Sequence, residues 1–199
     1  MKEIFINNSM NLIHKYYPNY SDVKLAELKY GLLGLYLMIT KSIIIFGIAI
    51  YLGIFKDLLI FTIIYNILRA SSFGIHASES WICLIFSAVI FILLTYMSLN
   101  VSIPINIKII LGIIGIMFMY KNSPADTARK PIISPKRRTI YKTISTLLAI
   151  IFVICSIVID NEFLSNAFIL SLMLQNIMVA PTTYKIFGEP YDNYKSYQS

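Results

Sequence analysis

Long apolar runs separated by short polar intervals organise this chain. The first stretch differs: Ile6, Met10, Ile13 and Tyr17 recur at helical spacing within residues 3–17, with Asn7, Asn11, His14 and Lys15 elsewhere. That pattern predicts an amphipathic helix that lies in a membrane interface or packs on other helices. Pro18 ends it, and Ser21 is suited to cap the next segment. Residues 22–52 begin amphipathic and turn apolar after Gly31, which predicts a first span over 31–53. Further spans are expected over 58–68, 80–99, 107–120, 139–159 and 163–179. The breaks are the turn at Lys56-Asp57, the polar stretch before residue 80, the Pro104 turn, the polar loop 121–138, and Asp160-Asn161-Glu162. A helix crosses the hydrocarbon core with roughly 20 apolar residues. The expected fold is therefore an all-α integral membrane protein, with about six transmembrane helices plus the N-terminal amphipathic helix. One domain covers residues 1–199: an amphipathic region 1–30, a bundle 31–180 and a tail 181–199.

Composition agrees with the pattern. The 199 residues are 57% hydrophobic and 14% charged, against roughly half and a quarter in soluble domains. The net charge of +7 does not point to nucleic acid, because the basic residues stand at span boundaries. If alternate loops share a side, one side receives Lys2, Lys15, Lys24, Lys29, Arg69, Lys121 and the basic residues from Arg129 to Lys142. The other receives Lys56 and Lys108 with Asp57, Asp160 and Glu162. Basic loops stay cytoplasmic, so both termini, the tail, the loop around residue 76 and the 121–138 loop are expected inside a multi-pass cell membrane protein. Lys2-Glu3 followed by mixed polar sequence predicts no signal peptide. Gly31 with Gly34, and Gly112 with Gly115, fit close helix packing.

Candidate chemistry concentrates at 70–83, Ala-Ser-Ser-Phe-Gly-Ile-His-Ala-Ser-Glu-Ser-Trp-Ile-Cys, which holds one of two histidines and one of two cysteines. A thiol becomes a nucleophile near neutral pH with a base or positive charge beside it. His76 is that base for Cys83, and a helix beginning near residue 80 would add its positive end. In one straight helix the pair would sit ~10.5 Å apart along the axis, so His76 has to fold back from the helix. Gly74 gives the backbone that freedom. Glu79 and Asp126 are candidates to orient the imidazole. Spacing alone favours the plainer reading, a satisfied loop histidine and a buried apolar thiol. A membrane acyltransferase, a small permease subunit and a signalling scaffold are the alternative functions. With no Cys-x-x-Cys and two lone histidines, neither a disulfide nor a metal site is expected, and no cofactor is called for.

Arg69-x-x-x-x-Gly74-x-His76-Ala77 followed by Cys83, and Ser123-Pro-Ala-Asp-Thr-Ala-Arg-Lys-Pro-Ile132 in the later loop, resemble the accessory gene regulator B family. The resemblance implies a membrane cysteine endopeptidase that cuts the precursor of a quorum-sensing autoinducing peptide near its C-terminal segment. It further implies an acyl-enzyme thioester that leads to a cyclic product. Cys83 is then the nucleophile, His76 its partner, and Arg69 and Gly74 support them. Arg129 and Lys130 become contacts for an acidic substrate segment, and the protein a homodimer. The chain departs from the family pattern at Asn122-Ser123, where Tyr-Ala is usual, and at Ala128, in place of a third basic residue.

Overall fold

The structure, a computed structural model, describes residues 2–75, 80–127 and 131–197, excepting the side chains of residues 2 and 80–83. Among the described residues regular structure is entirely helical: α1 (Lys2–Tyr16), α2 (Asp22–Tyr51), α3 (Phe55–Ser72), α4 (Ser80–Asn100), α5 (Ile105–Asn122), α6 (Pro135–Val158), α7 (Glu162–Val179), α8 (Pro181–Ile186) and a 3-10 turn (Asn193–Tyr197). The chain forms two compact units, Met1–Gly53 and Ile54–Ser199.

In the first unit α1 stands where the amphipathic pattern places it. Ile6 is buried, Met10 and Ile13 are half-buried, and Tyr17 is exposed and stacked on Tyr20. Phe5 meets Tyr36 of α2 at 5.5 Å between ring centres. The amphipathic start after Pro18 and the expected first span are one continuous helix of 30 residues. It is capped where expected, by the Ser21 hydroxyl accepting from the Lys24 N–H at 3.3 Å.

In the second unit α7 is the central helix, packed against α3, α4, α5 and α6. Its buried residues run all round it, including Asn166, Ser171, Gln175 and Asn176. Buried polar side chains in an apolar bundle hold neighbours by hydrogen bonds. Asn166 Nδ2 donates to the Val101 carbonyl at 2.7 Å, fixing the α4–α5 turn. Gly112 and Gly115 do allow close approach: a β-carbon at Gly112 would stand 2.6 Å from Val153 Cγ1, and one at Gly115 2.7 Å from Met173 Cε.

Among the described residues four helices are long and apolar enough to cross a membrane: α2, α5, α6 and α7. α4 is apolar over Leu84–Asn100, whereas α3 carries Lys56, Asp57 and Arg69 within its 18 residues. Helix ends differ modestly from expectation. α6 begins at Pro135 rather than Thr139, because proline suits a first helical position after an extended Ser134. Lys108, expected as a charge at the boundary of the 107–120 span, is buried with its Nζ 2.6 Å from Ser165 Oγ.

Candidate functional site

The last turn of α3 ends on Phe73, at φ 58°, and Gly74, at φ +109°. From there the chain is held on three sides. The Gly74 N–H donates to the Ala125 carbonyl at 2.9 Å, and the Ala125 N–H donates to the Ser72 carbonyl at 3.1 Å. The Ile75 N–H donates to Met178 O at the end of α7 at 3.0 Å. From α3, Arg69 Nη2 reaches forward to the carbonyls of Gly74 at 3.2 Å and Ile75 at 2.6 Å. Gln175 Nε2 donates to Ser72 Oγ and to the Phe73 carbonyl, each at 2.7 Å.

Gly74 is obligatory here for two reasons. Its φ lies in the region L side chains avoid, and a β-carbon would meet Arg69 Nη1 at 2.7 Å and Met178 O at 2.8 Å. Arg69 and Gly74, paired in the sequence as supporting residues, are thus one unit. The arginine clamps the two carbonyls directly ahead of residue 76, and the glycine leaves room for it.

His76 lies outside the described residues, as do Glu79, Arg129 and Lys130. The backbone of Cys83 is described: it is the fourth residue of α4. A pocket of about 260 Å³ opens between α3, α4 and α7, walled by Arg69, Ile75, Phe86, Ile90, Phe91 and Met178 among others. Phe86, Ser87 and Ile90 follow Cys83 by one and two helical turns, so residue 83 shares their face of α4. The residue before His76 and the face that carries Cys83 therefore border one mainly apolar pocket, with Arg69 in its wall.

Asp126, a candidate to orient the imidazole of the undescribed His76, holds the C-terminal segment. Its carboxylate accepts from the backbone N–H groups of Ile132 at 3.2 Å, Asn193 at 3.2 Å and Tyr194 at 3.0 Å. Arg138 stands 3.7 Å away, with its Cζ over the Tyr194 ring at 3.3 Å from the ring centre. Asp126 ties the 123–132 loop to the C-terminal segment, which is consequently docked rather than trailing. The Tyr184 hydroxyl adds to this, 3.0 Å from the carbonyls of both Ala125 and Asp126. Burial raises the Tyr184 phenol above its ordinary range, Arg69 opposing the shift. Burial, then the Asp192 charge, push Tyr191 up to about 12. Both phenols stay neutral donors at physiological pH. Sequence reasoning missed Gln175 and Tyr184; a glutamine within an apolar run was the available signal for the first. Cys155 is half-buried near the end of α6.

The model of the family described as accessory gene regulator B matches residues 6–179. Similar proteins include an AgrB-like protein of Clostridium acetobutylicum, 27% identical over 176 residues, covering 88% of this chain and 84% of that protein. An AgrB-like protein of Listeria monocytogenes serotype 4b is 29% identical over 174 residues, covering 86% and 84%. The accessory gene regulator protein B of a bovine Staphylococcus aureus strain is 26% identical over 164 residues, covering 82% and 86%. No solved structure matches the chain.

Proposed function

This chain belongs to the accessory gene regulator B family, and from that premise we propose that it is a membrane cysteine endopeptidase acting on the precursor of a quorum-sensing peptide. Family membership places the protein in accessory gene regulator peptide processing; the nucleophile, the base and the thioester are our reading. The observation that carries it is the clamp made by Arg69, Gly74, Ala125 and Met178. It fixes the backbone up to Ile75 beside a pocket whose α4 wall is in register with Cys83. A base one residue beyond a clamped segment and a thiol in a helix's first turn are what an activated cysteine requires.

In this mechanism His76 takes the thiol proton and the Cys83 thiolate attacks the scissile carbonyl carbon. The tetrahedral intermediate collapses, the C–N bond breaks, and the leaving amine receives the proton from His76. The acyl group is left on sulfur as a thioester. Attack by a substrate thiol on that carbonyl expels Cys83 and closes a thiolactone, whereas water would give the linear acid. Excluding water from the site therefore matters as much as nucleophile strength. Arg129 and Lys130 hold the acidic C-terminal segment of the precursor. Six spans set both termini and the site on the cytoplasmic side, and the protein works as a homodimer in the bilayer.

Purified protein in vesicles, given precursor peptide, tests this. Cys83→Ala and His76→Ala should each abolish cleavage while membrane insertion persists, and Cys155→Ala should be near-neutral. Parent-level cleavage by Cys83→Ala would sink the proposal.

A further inference from the structure

A second cavity, of about 470 Å³, lies where α5 ends and α6 begins. Its walls include Lys121, Arg138, Lys142, Tyr191, Asp192 and Tyr194. Three cations thus face one carboxylate, and that carboxylate is already occupied: Asp192 pairs with Lys195 Nζ at 2.6 Å. Arg138 is only loosely neutralised, because Asp126, 3.7 Å away, also serves three backbone N–H groups. Arg138 Nη1 is buried without a hydrogen-bond partner. The cavity therefore holds positive charge that its own walls do not balance.

The surroundings say what kind of anion it suits. Lys142 Nζ sits 4.2 Å over the Tyr120 ring, and Tyr120 is 60% exposed, so the Lys142 side of α6 and the Tyr120 side of α5 meet on an outer face. Along α5, Ile113 and Met117 precede Tyr120 by two and one turns on the same face, and both are exposed. A cationic hollow at the end of an exposed apolar strip matches a molecule with an anionic head and hydrocarbon chains. A soluble anion would use the hollow and leave the strip uncovered.

We infer that this cavity binds the phosphate headgroup of an anionic phospholipid, whose acyl chains lie along the exposed face of α5. Basic hollows between membrane helices take such headgroups on the cytoplasmic side. The inference depends on residence in a bilayer and not on peptide cleavage, so a failed cleavage assay leaves it standing.

Native mass spectrometry of the full chain in neutral detergent, titrated with phosphatidylglycerol or phosphatidylcholine, tests it. The parent protein should retain phosphatidylglycerol with about tenfold tighter apparent affinity than phosphatidylcholine. Lys121→Gln/Lys142→Gln should lose that preference, and Lys121→Gln alone, at an exposed position, should lose part of it. Lys136→Gln/Arg137→Gln removes the same charge from the same end of α6, outside the cavity walls, and should keep the preference. Equal losses in the two double variants would overturn the site in favour of diffuse surface charge. Inorganic phosphate should fail to displace the lipid at matched concentration; full displacement would overturn the lipid assignment. Displacement by a short acidic peptide at a lower concentration than the lipid itself would overturn it too, identifying a peptide site.

Discussion

Substituting Gly74→Ala tests the clamp with one methyl group. At φ +109° an alanine is strained, by about 1–3 kcal/mol for such backbone. The new carbon would also stand 2.7 Å from Arg69 Nη1 and 2.8 Å from the Met178 carbonyl oxygen. The carbonyl belongs to the central helix and cannot yield, so the guanidinium has to move. Moving it sacrifices the bonds to Gly74 O and Ile75 O, each worth about 1.5–3 kcal/mol for a charged donor. The combined penalty is at least ~3 kcal/mol, falling on one short segment, and corresponds to roughly a hundredfold loss of the clamped arrangement. Single-turnover cleavage of precursor in vesicles should drop by that factor, with the protein still monodisperse and helical by circular dichroism. Arg69→Ala should lose comparable activity by removing the donors, and the double variant should lose little more than either single one, because both break the same contact. Cleavage by Gly74→Ala within about threefold of the parent rate, a difference under ~1 kcal/mol, would refute the reasoning.

Other outcomes follow from the same contacts. Asp126→Asn removes the charge that three N–H groups and Arg138 share, costing about 2–3 kcal/mol of local stability; trypsin should then cut at Lys195 faster, and unchanged cutting would refute the tie. Gly112→Ala forces a carbon against Val153 and should destabilise by about 1–3 kcal/mol, read as a lowered Tm in detergent. Adding Val153→Ala should recover part of that loss, and no recovery would assign the damage elsewhere. For orientation, cysteines placed at positions 57 and 161 in a chain with Cys83 and Cys155 replaced should label from outside the cell, while position 133 should not. Outside labelling at the exposed Ile133 position would overturn a cytoplasmic site.

The sequence by itself determined the long helices and most of their ends to within a few residues, but not that α2 runs unbroken from Asp22, nor the short α8 inside the tail. Its signals there are local: apolar runs, Pro18 and Pro104 as breaks, the cap at Ser21 and the turn at Asp160-Asn161-Glu162, each acting on backbone groups within one turn. The pairing of Arg69 with Gly74 was likewise legible, because the two residues are close along the chain and meet in the structure. Tertiary structure alone decided what surrounds them. Gln175 reaches Phe73 across 102 positions, Tyr194 reaches Asp126 across 68, and Tyr184 reaches Ala125 across 59. Such pairs leave no periodic trace, since a buried amide or carboxylate accepts whichever partner the packing of whole helices brings near. Asp126 shows the consequence: nothing near it in the sequence announces that its carboxylate accepts from the backbone N–H groups of Asn193 and Tyr194 in the docked C-terminal segment. Gly74 shows the converse. Its freedom was legible from residue type, but its necessity comes from Arg69 and Met178, which the fold presses against one α-carbon.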